Sequence, residues 1–115
     1  MHTTDTPSAN GHATAPALAR LMSVLACGGE LDGRSMLLPT TIEAAAQARI
    51  SGTDLVFGNW ISWGAGFMRN EDRWMYGPGG QTFGHSGWGG SCAFADPERR
   101  LSAAYVMNRQ SSELT

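Results

Sequence analysis

A glycine-dense run near the C-terminal end of the chain, residues 83–96, constrains the fold more than any other feature. The run reads FGHSGWGGSCAFAD, in which strand-forming residues are interrupted by glycines at positions 84, 87, 89 and 90. Glycine weakens a strand by roughly 0.5–1 kcal/mol relative to alanine, because it loses more conformational freedom on folding. Such a strand usually contains a bulge or a point of close approach by another backbone or a ligand. We therefore expect this run to present bare backbone to a neighbour.

The basic residues of the chain are all arginine. Eight positions carry Lys or Arg in total, and none of the eight is lysine. Arginine keeps its proton near neutral pH, so it cannot act as a general base. Any reaction that depends on a neutral lysine amine is therefore excluded for these 115 residues.

Length and charge narrow the class of protein. A chain of 115 residues forms one domain at most. A net charge of −2, with no basic cluster larger than Arg99-Arg100, argues against nucleic-acid binding. No apolar stretch approaches the roughly 20 residues of a membrane span, and residues 1–7 lack the regions of a signal peptide. We expect a cytoplasmic protein that binds neither nucleic acid nor membrane.

The cysteines and histidines form no recognisable site. Cys27 and Cys92 are far apart, and free thiols are favoured over a disulfide in a chain without an export signal. The three histidines have no metal-ligand spacing such as H-x-x-x-H. The sequence therefore predicts neither a metal site nor a cofactor.

Hydrophobic periodicity predicts two helices in the first half of the chain. Ala15–Ala26 reads as a helix with Thr14 as its N-cap and Gly28-Gly29 at its end. The apolar face of this helix is predicted to carry Leu18, Leu21, Met22 and Leu25. Thr40 and Glu43 have the spacing of a capping box and predict the start of the second helix.

From residue 60 the pattern changes to the period of two that is typical of strands. Strands are predicted at residues 60–68, 82–86, 91–95 and 101–108, with a turn at Asp96-Pro97. The predicted fold class is α+β, with two helices followed by an antiparallel sheet of about three to four strands. Residues 1–13 are predicted to be irregular, residues 14–109 to form the domain, and residues 110–115 to be a truncated tail.

The glycine-dense run resembles the C-terminal part of the serine β-lactamase-like hydrolases. His85-Ser86-Gly87 looks like the H-x-G form of the K-T-G motif that lies on a late strand of that family. Residues 10–15, NGHATA, and 63–67, WGAGF, are similar to segments that precede this strand in the esterase-type branch, which is related to class C β-lactamases and penicillin-binding proteins. The resemblance implies a partial β-lactamase/transpeptidase-like fold and, in the complete protein, acyl hydrolysis of small esters, amides or lactams.

Two of the three active-site elements of that family have no counterpart in the sequence. The S-x-x-K element, which carries the nucleophile, cannot occur without lysine. Neither Tyr76 nor Tyr105 begins a Y-x-N element. We therefore expect a fragment that is inactive by itself, although its family is enzymatic.

The resemblance implies catalytic roles for three residues of the surviving motif. His85 would replace the motif's lysine and assist proton movement or hold a substrate carbonyl or carboxylate. Gly87 would let the substrate approach closely, and the backbone N–H of Trp88 would be one oxyanion-hole donor. Ser86 and Gly89 are the candidate substrate-binding residues.

Two other hypotheses stay open. One is a non-catalytic module that docks on a partner, or on a second copy, through an unpaired sheet edge or the glycine-rich face. The other is a small unrelated enzyme that uses His85 and Cys92. Ser86 is not a nucleophile that His85 could activate, because neighbours on a strand point to opposite faces.

Overall fold

The computed structural model describes residues 11–73 and 75–110. Its elements in chain order are α1 (Ala15–Ala26), β1 (Glu30–Leu31), β2 (Arg34–Ser35), α2 (Pro39–Ala46), β3 (Ile50–Thr53), β4 (Trp60–Trp63), β5 (Met68–Arg69), β6 (Phe83–Ser86), β7 (Cys92–Asp96) and β8 (Leu101–Tyr105). Strands β3 to β8 form one antiparallel sheet in sequence order, while β1 and β2 pair only with each other. The α+β class and the two helices are confirmed, but the main sheet has six strands rather than three or four.

Helix α1 has the predicted bounds and caps. The Thr14 hydroxyl accepts a hydrogen bond from the Ala17 N–H at 3.3 Å, which satisfies one of the orphan donors of the first turn. Gly28 and Gly29 have φ of 72° and 95° and end the helix, with the Gly29 N–H bonded to the Val24 carbonyl. The predicted apolar face was wrong at Leu21, which is 65% exposed.

Helix α2 begins two residues earlier than the capping-box prediction. Its N-cap is Leu38, which makes no side-chain cap hydrogen bond, and Thr40 lies inside the first turn. Pro39 explains the difference, because proline is pre-organised for the first helical position and lacks only an N–H that has no partner there. Ile42 is the buried residue of this helix.

The predicted strand at residues 60–68 is two strands, β4 and β5, joined by a tight turn. Gly66 turns the chain at φ of 84°, and the Gly64 N–H donates to the Phe67 carbonyl at 2.8 Å. A Cβ at Gly64 would overlap the Ala45 carbonyl oxygen, so this glycine lets α2 approach the sheet. Strand β3 was missed because Gly52 and two polar residues obscure its alternation.

Two apolar clusters lie on opposite faces of the sheet. The face covered by α1 and α2 is called the helix face, and its buried residues are Met22, Ala26, Ile42, Phe83 and Ala95. The opposite face is called the loop face, because the connection between β5 and β6 packs there. Its buried apolar residues are Ile61, Met68 and Tyr76. Strand β6 lies in the middle of the sheet, so each cluster covers part of one of its two sides.

The last hairpin has the predicted turn. The Asp96 side chain accepts from the Arg99 N–H and from the Arg99 guanidinium, and the Arg100 N–H bonds back to the Pro97 carbonyl. Strand β8 ends at Tyr105, three residues earlier than predicted. Residues 11–14 have no regular structure, and the rest of the predicted irregular segment and most of the predicted tail lie outside the described residues. The domain bounds stay a prediction.

Candidate active site

His85 lies near the end of β6, on the helix face but beyond the cover of the helices. It pairs with Ala93, and its side chain is exposed, whereas Phe83 two residues earlier is 2% exposed. Its Nδ1 lies 2.8 Å from the carbonyl oxygen of Ser86. A carbonyl oxygen can only accept, so Nδ1 carries the proton and Nε2 is the nitrogen that remains available. The imidazole also lies beside the Trp63 indole, with 5.6 Å between ring centroids.

A glycine-rich loop connects β6 to β7 next to His85. The Gly87 N–H donates to the Ser91 carbonyl at 2.7 Å, and Gly89 and Gly90 have φ of 100° and 110°. Those φ values favour glycine over any residue with a Cβ. Gly89 is buried, and a Cβ there would press on the Met107 and Gln110 side chains. The loop is therefore held in shape by its own backbone and by the segment after β8.

Trp88 lies at the surface of the predicted site. Its side chain is 70% exposed and stacks on Phe57, with 6.4 Å between ring centroids and 24° between ring planes. Phe57 comes from the turn between β3 and β4, where the Asp54 carboxylate accepts from the N–H groups of Val56 and Phe57. The residue that carries the predicted oxyanion-hole N–H therefore lies at the molecular surface, in the loop that follows β6.

Ser86 faces away from His85, as expected for neighbours on a strand. It is 4% exposed, and its hydroxyl lies 3.1 Å from the Tyr76 hydroxyl on the loop face. Its predicted contact with substrate stays a prediction, and a buried hydroxyl that already has a partner argues against it. His85 and Trp88 are thus exposed and Gly87 is half-buried, while the Ser86 side chain is turned inward.

Tyr76 and Asn70 are the residues around β6 that the sequence did not single out. Tyr76 is 4% exposed; burial raises the pKa of its hydroxyl to about 12, outweighing the hydrogen bond with Ser86 that lowers it. This phenol is therefore neutral at physiological pH and is not a base at the site. Asn70 is 1% exposed and binds four backbone groups of residues 75–79. Both lie between the predicted strands at residues 60–68 and 82–86, where polar composition gave no sign of burial.

Other sequence candidates lie away from His85. Cys27 and Cys92 are free thiols. Cys92 packs against the loop-face cluster and pairs with Ser86, not with His85. The two members of the proposed His85–Cys92 enzyme therefore occupy opposite faces of the sheet. An open groove of about 1060 Å³ runs between α1, α2 and β6, and its lining includes none of the predicted site residues.

The described residues carry no metal centre and no membrane span. Within residues 11–73 and 75–110, no three His, Cys, Asp or Glu side chains converge to hold a metal ion. Among the helices of those residues, none is both long and apolar enough to cross a bilayer.

Comparison with known proteins identifies the family. The β-lactamase family model matches residues 1–114, and the chain belongs to that family. It is 34% identical over 111 residues to the esterase/β-lactamase LipL of Mycobacterium tuberculosis, covering 94% of this chain and 24% of LipL.

Solved structures agree with this assignment. The crystal structure of a novel penicillin-binding protein homologue from Caulobacter crescentus matches with a TM-score of 0.89 and 66% sequence identity. The match covers 93% of this chain and 29% of the chain of the homologue. A family VIII carboxylesterase has a TM-score of 0.79 and 36% identity, covering 84% of this chain and 26% of its own. EstA from Arthrobacter nitroguajacolicus Rue61a has a TM-score of 0.72 and 32% identity, covering 88% of this chain and 27% of its own. The chain therefore spans about a quarter of the length of these relatives.

Proposed function

We propose that this chain forms one wall of the active site of a serine hydrolase that cleaves small esters, amides or lactams. The nucleophile and the lysine that activates it come from polypeptide outside these residues. The observation that carries the proposal is the H-x-G strand with His85 exposed and Trp88 exposed in the loop that follows it, in a chain of the β-lactamase family that contains no lysine. The relatives are an esterase/β-lactamase, a carboxylesterase and a penicillin-binding protein homologue, and these names support acyl transfer as the reaction class.

Each residue of this wall has a separate role in the proposal. The Nε2 of His85 exchanges a proton or a hydrogen bond with the substrate, since Nδ1 is already committed to Ser86. Gly87 leaves the strand surface open, because a Cβ there would meet only the Ser91 oxygen at 3.6 Å. The Trp88 N–H stabilises the charge that develops on the substrate carbonyl oxygen. Gly89 shapes the loop that presents this N–H.

The proposal is tested with the chain alone and in a chimera. The chain alone is expected to hydrolyse p-nitrophenyl acetate no faster than buffer, because it lacks the S-x-x-K nucleophile. In the chimera, it replaces the matching quarter of the family VIII carboxylesterase. There, His85→Ala should lower kcat/KM by about 100-fold or more, a typical loss for a proton-transfer group. His12→Ala is the matched control and should retain activity.

Two results would count against the proposal. Turnover by the chain alone that His85→Ala abolishes would place the nucleophile within these residues. A chimera whose activity survives His85→Ala would remove His85 from the chemistry.

A second function, association through a sheet edge, is favoured by the state of β8. This strand is the last in the sheet, and its outer edge has no strand partner among the described residues. Leu101 and Tyr105 at its two ends are 46% and 56% exposed. Unpaired edges invite pairing with another chain. Sedimentation velocity on the wild type and on Tyr105→Lys tests this: a dimer that the substitution disperses supports association through β8, and a wild-type monomer opposes it.

A further inference from the structure

The connection between β5 and β6 is organised by a single buried amide. Asn70 donates from Nδ2 to the carbonyl oxygens of Gly77 and Gly79 at 2.7 Å and 3.0 Å. Its Oδ1 accepts from the N–H groups of Met75 and Tyr76 at 3.1 Å and 3.2 Å. Both N–H donors and both acceptor lone pairs of the side-chain amide are thereby used. The position of Tyr76 is fixed through its own backbone N–H.

Tyr76, held by Asn70, packs against the loop face of the sheet behind β6. Its ring stacks on Phe94 of β7, with 5.3 Å between centroids and 23° between planes. Its hydroxyl lies 3.1 Å from the Ser86 Oγ and 3.8 Å from the Met68 sulfur. Burial keeps the hydroxyl protonated, since its pKa is raised to about 12. The phenol therefore holds the Ser86 side chain from the loop face.

Ser86 connects the two faces of the sheet. Its side chain is tied to Tyr76 on the loop face, while its carbonyl oxygen accepts the Nδ1 proton of His85. The hydrogen bond of 2.8 Å between His85 Nδ1 and the Ser86 carbonyl oxygen favours the Nδ1–H form of the imidazole. A shift or rotation of Ser86 would lengthen or break this bond. An exposed imidazole with no such acceptor is free to rotate and to exchange its proton between the two nitrogens.

We propose that Tyr76, held in place by Asn70, is a positioning residue for His85: by anchoring Ser86 from behind, it fixes the imidazole ring in the Nδ1–H form with Nε2 facing outward. The benefit of this orientation rests on the proposed function, in which Nε2 is the reacting atom. The orientation itself does not depend on that function, because it is a property of the chain without substrate.

The experiment is long-range ¹H–¹⁵N NMR of the uniformly labelled chain in alkaline solution, where imidazole is neutral. Nitrogen chemical shifts then report which ring nitrogen carries the proton. Wild-type His85 is expected as the Nδ1–H form, and Tyr76→Phe should shift the population towards the Nε2–H form by at least several-fold. Phenylalanine keeps the ring stacked on Phe94, so this variant should remain folded. Assignment of the His85 signals uses their loss in His85→Gln.

Matched controls separate positioning from packing. Tyr105→Phe removes the hydroxyl of the exposed tyrosine whose residue lies across from Cys92, and should leave the His85 spectrum unchanged. Ser86→Ala should reproduce the effect of Tyr76→Phe, while Ser86→Thr, which retains a hydroxyl, should preserve the wild-type form. Thermal unfolding by circular dichroism verifies that each variant is folded.

Two outcomes would overturn the proposal. One is a wild-type spectrum in which His85 is mainly the Nε2–H form. The other is folded Tyr76→Phe and Ser86→Ala variants with the wild-type His85 spectrum, which would reduce Tyr76 to a packing residue. Neither outcome bears on whether His85 takes part in catalysis, because no substrate or turnover enters the measurement. Loss of activity in the His85→Ala chimera addresses that question separately.

Discussion

The two sides of strand β6 differ in how far their polar side chains are buried and hydrogen-bonded. On the loop face, Ser86 and Tyr76 are each 4% exposed and hydrogen-bonded to one another, and Asn70 binds four backbone groups nearby. On the helix face, His85 is exposed, and Trp88 in the loop beyond it is 70% exposed. At the end of β6, the loop face is thus a closed interior, whereas the helix face is buried at Phe83 and open to solvent at His85.

This difference indicates that the buried residues on the loop face stabilise the fold, while the exposed residues at the end of β6 do not. Buried polar groups that find partners stabilise the strand, and leaving one unpaired costs about 1–3 kcal/mol. The exposed groups contribute little to folding, so under the proposed function they remain available to a substrate. We expect substitutions on the loop face to lower the free energy of unfolding, and those on the exposed side to leave it nearly unchanged.

The largest expected effect is that of Gly84→Ala, on the loop face of β6. A Cβ there would overlap the Ala93 carbonyl oxygen and lie 2.7 Å from the Phe94 Cα, so β6 and β7 would have to separate. The expected loss is about 3 kcal/mol, or roughly 12 °C in Tm. Gly87→Ala is the matched control, because its Cβ would meet only an ordinary contact at 3.6 Å. If thermal unfolding showed that both variants lose the same free energy of unfolding, the contrast between the two sides of β6 would be wrong.

The next effect is that of Asn70→Ala. It removes four hydrogen bonds and leaves the N–H groups of Met75 and Tyr76 without their acceptor, so we expect a loss of about 2 kcal/mol. Asn108→Ala, at an exposed position, should change stability by less than about 0.5 kcal/mol. Urea titration followed by circular dichroism measures both. An Asn70→Ala variant as stable as Asn108→Ala would contradict the role given to this amide.

A smaller effect, dependent on pH, is expected at Asp96. Burial would raise the pKa of this carboxyl, but hydrogen bonds from the Arg99 side chain and backbone and the charge of Arg99 bring it below its ordinary value of 3.8. A carboxyl whose folded pKa is lowered stabilises the fold above the unfolded value and loses that contribution as pH falls through the folded value. Asp96→Asn should therefore lower Tm by about 4 °C at pH 7, with a smaller difference below pH 3.8.

The control for Asp96 is Glu98→Gln, whose side chain is 54% exposed in the same turn. Its Tm profile should follow that of the wild type at every pH. If Asp96→Asn and the wild type lose stability in parallel from pH 7 to pH 3, the carboxylate of Asp96 does not contribute in the way its contacts indicate.

The smallest expected effect is that of Trp88→Ala on the exposed side. Its stacking on Phe57 joins two side chains at the surface, so the loss should stay below about 1 kcal/mol. Phe94→Ala, which removes a ring packed against Tyr76, should cost about 3 kcal/mol. A Trp88→Ala loss equal to that of Phe94→Ala would show that the exposed side is part of the stabilising core, contrary to the division proposed here.

The elements that could be predicted from the sequence are those whose determining residues lie close together along the chain. Helix α1 carries its N-cap at Thr14 and its terminating glycines within its own sequence, and the turn at Asp96 depends on residues three positions apart. The site motif, His85-Ser86-Gly87, was readable because it is contiguous. The family resemblance based on it is confirmed by the match to the β-lactamase family.

Features that depend on distant contacts were missed. The close packing of α2 on the turn between β4 and β5 depends on the approach of Ala45 to Gly64, and nothing near Gly64 in the sequence indicates that contact. Asn70 and Tyr76 look like ordinary loop residues until the loop folds onto β6. The exposure of Leu21 likewise follows from how α1 lies on the sheet, since the helical period alone does not fix which side of an apolar stripe is covered.

The central claim, that this chain supplies one wall of a serine hydrolase site and no nucleophile, is tested most directly by covalent labelling. The purified chain is incubated with a fluorophosphonate probe and its intact mass is measured, with the family VIII carboxylesterase as a positive control. We predict that the carboxylesterase gains the mass of the probe and the chain keeps its own mass. A phosphonyl adduct on any serine of the chain, abolished by His85→Ala, would contradict the claim.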